Sequence, residues 1–445
     1  MAVQCGEQIR VACALGGSCT ALAINRVIPV GHCGPGCIAQ YVNTLQIYNG
    51  GQSSYPFEAT VLPSSNFCES DVVFGGVERF KKTIKHTIEY YDTDLVVAVD
   101  GCTPEIIGDD IESVVNSFKD APIPVIYAKL PGIQGDNLTG HSRVLSAIID
   151  QYVKDSGKRN PKQVNILGIV PFYDPMGEGN LAQIEKTLKA IGLEPNIFYG
   201  YQKGLPEVDK IPEAAFNLVL SPWIDHDIAK KLESKFGTPY VIYPCVPYGP
   251  DDTKKLLNVL QEYADLDKDV IDAYIKEKED RYYHYVNKHL SWIHYCNDFA
   301  AQFVVIGSAA SAVSVTRAVV NDLGLYPKRI FITEEVPKKY QQQIKDYLYD
   351  VELEEKDYEI VFSVDGGLSH EQLLNDLPKE DETVLFGSSW DISVSRKLGT
   401  AFVPVSAPYG DHMVADKAYF GFDGGLQFFT DVQNAIADAP WSSLV

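Results

Sequence analysis

Short apolar, β-branched runs alternate with helix-length segments along this chain, and that alternation restricts its fold more than any other feature. Leu95-Val-Val-Ala-Val99 reads as a buried strand, a helical stretch follows over 111–118, and Val125-Ile-Tyr-Ala128 reads as the next strand. A second block has strands at 164–170, 216–220 and 240–243, with a helix around 181–191. A third has strands at 303–307, 329–333, 359–364 and 383–386, with a helix near 309–323. Parallel strands need helical crossovers and bury both faces, so they read as continuous apolar runs rather than alternating ones. The pattern predicts an α/β protein of three doubly wound, Rossmann-like domains with parallel sheets. A length of 445 residues agrees with about three domains of roughly 150 residues. The boundaries are expected at 1–158, 159–300 and 301–445. Residues 265–292, rich in Lys, Glu, Asp and Tyr and free of Gly and Pro, predict one or two long helices linking the second block to the third.

Sheets of this kind collect ligands beyond the carboxyl ends of their strands. The cysteines fall in such loops: five of nine lie in the first 37 residues, and Cys102 comes just after the strand at 95–99. An odd number of cysteines in a long chain without a secretory signal does not describe a disulfide framework. The N-terminal Met-Ala-Val-Gln-Cys-Gly-Glu lacks the basic and apolar regions of a signal peptide. No apolar run approaches the ~18 residues of a membrane span. A cytoplasmic protein without membrane contact is therefore expected. The net charge of −22, from 60 acidic and 38 basic residues, argues against nucleic-acid binding, which needs a basic footprint. Cys245 and Cys296 stand among apolar and aromatic neighbours and read as buried filler.

Four segments carry the chemistry. In Val11-Ala-Cys-Ala-Leu-Gly-Gly-Ser-Cys19, Gly16 and Gly17 break the helical pattern after Cys13; alone, a small buried cysteine is the favoured reading. Val30-Gly-His-Cys-Gly-Pro-Gly-Cys-Ile38 sets His32, Cys33 and Cys37 among glycines, so backbone can approach a bulky inorganic group and aim amides at its sulfides. The same loop could cradle phosphate, but no Lys-Ser/Thr pair follows it. No second Cys/His pair completes a zinc site. No Gly-x-Gly-x-x-Gly with a later acidic residue supports a nicotinamide enzyme. In Asp100-Gly-Cys-Thr-Pro-Glu-Ile-Ile-Gly-Asp-Asp110, Thr103 or Pro104 is expected to start a helix, with Cys102 near its positive end, where a thiolate is favoured. Asp109 and Asp110 read as solvating and capping groups, a divalent-cation site made with Glu105 being the weaker alternative. In Pro63-Ser-Ser-Asn-Phe-Cys-Glu-Ser-Asp-Val-Val-Phe-Gly-Gly76, Glu69 and Asp71 precede a predicted helix. Cys68 is equally an accessory ligand or a structural thiol. Thiolates presented from separate loops, above all Cys13, Cys37 and Cys102, are the donors an iron–sulfur cluster uses.

The order of these segments resembles the nitrogenase component 1 family over nearly the whole chain. Gly31-His-Cys-Gly-Pro-Gly-Cys37 resembles its His-Gly-x-x-Gly-Cys loop, with Cys33 in place of the first glycine. Val73-Phe-Gly-Gly76 resembles a family motif at the same point in chain order, and Cys102-Thr-Pro-Glu-Ile-Ile-Gly-Asp-Asp110 resembles its Cys-x-x-Glu-x-Ile-Gly-Asp segment. The resemblance implies that Cys13, Cys37 and Cys102 bind one subunit's share of an 8Fe–7S P-cluster at the interface with an α-type partner, a 4Fe–4S cluster being the alternative. It implies a β-type subunit without catalytic residues of its own. Ser221 stands at the position of the α subunit's cofactor-binding cysteine and Phe420 at that of its histidine, one a poor ligand for a soft metal cluster and the other none. Ala407-Pro-Tyr-Gly-Asp-His-Met413 and Gly421-Phe-Asp-Gly-Gly425 resemble the β-type ending. Departures from the family pattern are a short N-terminus, Gly132 at a serine position of the loop Pro131-Gly-Ile-Gln-Gly135, and the additional Cys19 and Cys33.

The implied function is that of an oxidoreductase subunit of a nitrogenase or nitrogenase-like reductase, within a heterotetramer. It would receive single electrons from an ATP-dependent iron–sulfur reductase protein and relay them to a metallocofactor in the α-type subunit. The alternative is a non-catalytic scaffold subunit for nitrogenase cofactor assembly. The substrate stays open, since methylthio-alkane and tetrapyrrole reductases share this frame. His32, His412 and Glu105 read equally as groups behind the ligands and as packing or surface residues.

Overall fold

The computed structural model describes residues 6–7, 9–49, 62–296 and 299–442. Cys5, and the side chains of 44–49 and 294–296 with that of Cys296, lie outside the described residues.

The described strands form three parallel sheets, as the alternation of apolar runs and helices predicts. The first sheet has the order β1 (Val27–His32), β2 (Leu95–Asp100), β3 (Val125–Ala128). In the second, β4 (Asn160–Leu167) lies between β5 (Glu194–Asn196) and β6 (Ala214–Leu220), and β7 (Tyr240–Tyr243) forms the far edge. The third comprises β8 (Gln302–Gly307), β9 (Tyr326–Ile332), β10 (Glu359–Phe362), β11 (Thr383–Gly387) and β12 (Ala401–Pro404). Its order β10-β9-β8-β11-β12 reverses direction between β8 and β11.

β2 shows why such runs are fully apolar. Every one of its residues is buried. Side chains alternate between the faces of a strand. Val96 and Ala98 accordingly pack with Phe80, Ile84, Ile111 and Val114 on one face. Leu95, Val97 and Val99 pack with Leu138, Val144 and Leu145 on the other.

Three strands escape the sequence pattern: β1, β5 and β12. β1 contains Pro29 and Gly31, which mark a strand interior as improbable. It is tolerated because β1 is an edge strand of its sheet, paired in register with β2 from Val27–Leu95 to His32–Asp100. The expected linking segment is one helix, Lys268–Cys296, which packs along the helix Gly421–Ala437 through Tyr282, Val286 and Phe429. Gly16 and Gly17 do not break helical structure after Cys13. They lie in a 3-10 turn, Ala14–Gly17, that runs into the helix Ser18–Leu22. The reason is tertiary: a Cβ on Gly17 would lie 2.2 Å from the carbonyl carbon of Gly140, so glycine lets this turn press against the helix Asn137–Ala147.

The N-terminal segment is anchored to the third sheet. Arg10, fully buried, donates to both carboxylate oxygens of Asp391 at 2.6 and 2.7 Å, and Asp391 is itself fully buried. Removing one partner of such a pair strands a charge in the interior and costs about 3–5 kcal/mol. Among the described residues no helix is long and apolar enough to cross a membrane.

Candidate functional site

The carboxyl ends of β1, β2 and β3 lie side by side, because His32 pairs with Asp100 and Val99 with Ala128. The loops that leave them carry the predicted residues. After β1 the chain turns through Cys33 and Gly34 into the helix Pro35–Asn49, with Cys37 in its first turn. After β2, Gly101 is extended and Cys102 is the first residue of the helix Cys102–Ile107. That helix starts at Cys102 itself and not at Thr103 or Pro104. After β3 comes the turn Gly132–Gln134. Cys13 arrives from the N-terminal segment, which pairs with the stretch before the helix Asn137–Ala147: Ala14 donates to the Gly135 carbonyl at 3.0 Å and Asn137 to that of Ala12 at 3.0 Å.

These loops bring three thiols to one recess with a backbone floor. A Cβ at Gly132 would lie 2.9 Å from the Cβ of Cys13 and 3.3 Å from the sulfurs of both Cys13 and Cys102. Cys13 is exposed, and Cys37 and Cys102 are half-buried. Burial pushes the Cys13 thiol up, and the nearby sulfurs of Cys37 and Cys102 push the same way, while the amides of Leu15 and Gly16 aim at its sulfur and favour the thiolate. Cys37 is pulled down chiefly by a hydrogen bond from Cys33, aided by the amides of Gly34 and Cys37 itself. Thiolates that repel one another while amides hold them in place make a site for positively charged, thiophilic metal. Among the described residues no three His, Cys, Asp or Glu side chains close on a single ion. The Sγ donor set, the bare Gly132 floor and the sulfur-directed amides all fit an iron–sulfur cluster.

The remaining predicted residues are committed elsewhere. His32 is fully buried, bonded to Ser65 Oγ at 2.9 Å and Asp109 Oδ2 at 2.9 Å, and stacked on Phe80 at 4.5 Å. Asp109 also accepts from the Gly76 amide at 3.0 Å, so His32 and Asp109 bind the motifs at 31–37, 73–76 and 102–110 into one body behind the thiols. Asp110 caps the helix Ile111–Asn116 through Ser113. Glu105 pairs with Lys129 and accepts from Gln134 at 3.1 Å, tying the Cys102 helix to the turn that bears Gly132. The helix expected after Asp71 begins at Glu69. There Cys68 is the cap: its thiol donates to Asp71 Oδ2 at 3.1 Å, a structural role. Cys19 is buried beside Leu22, Tyr41 and Leu62, with its thiol pushed up to about 12 by burial. Cys245 is fully buried core. His412 is exposed beside Asp411.

Ser221 and Phe420 are sealed into the interior. The Ser221 hydroxyl accepts from the Ile224 amide at 3.0 Å, and Phe420 is 1% exposed. The cavity between the second and third sheets, lined by Gly168, Asp174, Asn180, Tyr248, Ser311 and Val405, measures about 20 Å³, room for a water and no more. A cavity of about 630 Å³ lies between Glu178–Glu185 and Met413–Asp416 and shares no residue with the cysteine loops. Sequence reasoning missed Gly132 as a floor and Glu105 as a tie. The side chain a glycine lacks leaves no mark in a sequence.

Three parallel sheets with helical crossovers, and cysteines in the loops at one sheet's carboxyl edge, define an α/β protein of Rossmann-like architecture. Residues 12–437 match the nitrogenase component 1 type oxidoreductases, and the chain belongs to that family. It is 21% identical to the nitrogenase molybdenum-iron protein beta chain of Clostridium pasteurianum, over 95% of this chain and 91% of that one. It is likewise 21% identical to a light-independent protochlorophyllide reductase subunit of Chaetosphaeridium globosum, over 81% and 71%. The solved nitrogenase Cp1 at pH 6.5 superposes with a TM-score of 0.81 at 19% identity, covering 98% of this chain and 94% of that one. The relatives make the chain a β-like member of its family.

Proposed function

We propose that this chain is the electron-relaying, β-type subunit of a nitrogenase or nitrogenase-like reductase. Cys13, Cys37 and Cys102 hold its share of an interfacial iron–sulfur cluster of the 8Fe–7S P type, and cysteines of an α-type partner complete the ligand set. The observation that carries this reading is the placement of the Cys13 and Cys102 sulfurs together at the bare Gly132 backbone, with Cys37 close enough to act on the Cys13 thiol. When bound, the cluster supplies one-electron chemistry.

The chain's own groups hold and tune the site. Amides of Leu15, Gly16 and Gly34 point at the ligand sulfurs, and hydrogen bonds of that kind set a cluster's potential. Val73, Phe74, Ile106 and Ile133 are 72%, 87%, 70% and 62% exposed, and Ile106 and Ile133 stand on the elements that carry Cys102 and Gly132. Exposed apolar side chains gathered beside a site mark a protein-binding face. An α-type subunit seated there excludes water from the recess, and two such pairs make the heterotetramer. An ATP-dependent iron–sulfur reductase docks on the assembled pair as the electron donor. Substrate chemistry belongs to the partner, since Ser221 and Phe420 are closed into packed core.

Cys37→Ala and Cys102→Ala, each co-expressed anaerobically with the partner, should retain fold by circular dichroism and lose most iron and the visible absorption. Full iron content and an unchanged spectrum in both variants would overturn the reading. A complex that hands its cluster to an acceptor and sustains no reduction would be a scaffold instead.

A further inference from the structure

The segment that delivers Cys13 is tied to the first and third sheets at once. Residues 6, 7 and 10 lie across the loops that leave β10 and β11. The Gly6 and Glu7 amides donate to the two Asp365 carboxylate oxygens at 2.7 and 3.1 Å, and Asp365 caps the helix Gly366–Asp376. The Arg10 guanidinium forks onto Asp391 at 2.6 and 2.7 Å, and donates also to Ser388 Oγ at 3.1 Å and to Glu7 Oε2 at 3.0 Å. Asp391 is held in turn by the Ser388 amide and by His370 Nε2, each at 2.7 Å. A Cβ at Gly366 would lie 2.6 Å from Arg10 Nη2, so the guanidinium rests directly on the start of that helix. Residues 12–14 dock on the first sheet's side instead. The Ala12 amide donates to Asn137 Oδ1 at 3.0 Å, Cys13 pairs with Asp136, and the Ala14 amide donates to the Gly135 carbonyl at 3.0 Å. Only Val11, 7% exposed, separates the two anchorages.

We propose that Arg10 is the positioning residue for Cys13: its clamp on Asp391 makes the third sheet set where that thiol stands in the recess. Three residues of fully extended chain reach about 10 Å, so little slack lies between the guanidinium's anchorage and the cysteine. A bidentate arginine–carboxylate pair fixes direction as well as position, which a single contact does not. Side chains that hold a bound group must be kept within ~0.5 Å of their working geometry. A strap pinned at both ends gives Cys13 that precision, although it comes from a segment outside the sheet whose loops carry Cys37 and Cys102. The recess is therefore complete only once the third sheet has taken up Arg10. The consequence for iron rests on Cys13 being a cluster ligand; the placement of its sulfur does not.

The Cys13 and Cys102 sulfurs both lie 3.3 Å from the place a Gly132 Cβ would take, within the span of a bifunctional thiol reagent such as dibromobimane. In the metal-free, full-length chain this reagent should link Cys13 to Cys102, read as a joined peptide by mass spectrometry. Arg10→Met combined with Asp391→Asn removes both charges and strands neither. That double variant should fold and give the link in several-fold lower yield. Arg10→Lys, which keeps the charge without the fork, should lose less of it. Arg317→Met breaks another buried Arg–Asp pair, in which Arg317 donates to Asp252 at 2.7 Å, away from the strap. It should lower the melting temperature and leave the link at wild-type yield, each variant being assayed below its own melting temperature. No link in the wild type, a wild-type yield in the double variant, or an equal fall in Arg317→Met would overturn Arg10 as the positioning residue. Co-expressed anaerobically with the partner, the double variant should hold several-fold less iron than the wild type. If the link falls as expected and the wild-type complex itself holds no iron, the strap stands and the cluster assignment fails.

Discussion

At the scale of single residues, the seven described thiols, chemically identical, are sorted by what surrounds them. Cys19 and Cys245 are buried, Cys19 against Tyr41 and Cys245 with its thiol donating to Asp252 at 3.7 Å, and burial opposes the thiolate of both. Cys68 stands at the head of the helix Glu69–Phe74 and donates its thiol to the Asp71 carboxylate. Cys13, Cys37 and Cys102 reach a shared recess, and the resemblance of motifs singles out those three. Gly132 is legible in the sequence only as a departure from a family pattern, and its surroundings explain it: bare backbone stands where any side chain would wedge between two sulfurs. Gly132→Ala places a methyl carbon 2.9 Å from the Cys13 Cβ, closer than carbon atoms approach. Overpacking of this sort costs about 1–3 kcal/mol. The variant should fold and melt slightly below the wild type while holding several-fold less iron per chain, read by metal analysis. Wild-type iron content would show that the recess does not need its open floor.

At the scale of elements, nine of the twelve described strands were legible, and the helix starts at Glu69 and Cys102 beside the site were not. An apolar run is a local property, whereas a cap depends on what the backbone finds to bond. The helix at Cys102 begins one residue before the Thr-Pro signal, since extended Gly101 delivers the chain directly into helical geometry. The helix at Glu69 begins behind a cysteine, a residue outside the usual capping set. Asp136 is the cap with functional reach. Its carboxylate accepts from Thr139 at 2.8 Å at the head of Asn137–Ala147, and its backbone pairs with Cys13. Asp136→Ala should cost about 1–2 kcal/mol in urea unfolding and raise the rate at which Cys13 is alkylated. Asp136→Asn, which keeps an acceptor, should restore most of both. An unchanged Cys13 rate in the alanine variant would mean that the N-terminal segment is held by its other contacts alone.

At the scale of the whole molecule, the three sheets are joined through buried polar groups that also give the stability a pH dependence. Burial pushes Glu334 from 4.5 up to about 7, against a hydrogen bond from the Trp223 indole at 2.7 Å. Burial likewise pushes Asp174 from 3.8 up to about 6. Folded chain therefore binds more protons than unfolded chain between about pH 4 and 7, so stability falls as pH rises through that window. For Glu334 the loss is on the order of 3 kcal/mol. Asp391 runs the other way: the buried Arg10 guanidinium opposes desolvation and holds its carboxyl low, so its contribution is present above the ordinary carboxylate range and lost in stronger acid. The metal-free chain should unfold at a higher temperature near pH 5 than near pH 7.5. Glu334→Gln, which keeps an acceptor for Trp223, should flatten that difference, and an unaltered pH profile in the variant would remove Glu334 as its source.

What the sequence by itself determined is the α/β class, the three sheets and the supply of thiols in glycine-rich loops. Strand runs, helix spacing and residue chemistry are local and survive in a linear reading. Only the tertiary structure decided which thiols meet, which are walled off and that Gly132 lies beneath them. Those facts depend on the register of β1, β2 and β3 and on the N-terminal segment packing Gly17 against Gly140. Both are contacts between residues far apart in the chain, set by packing and not by local preference.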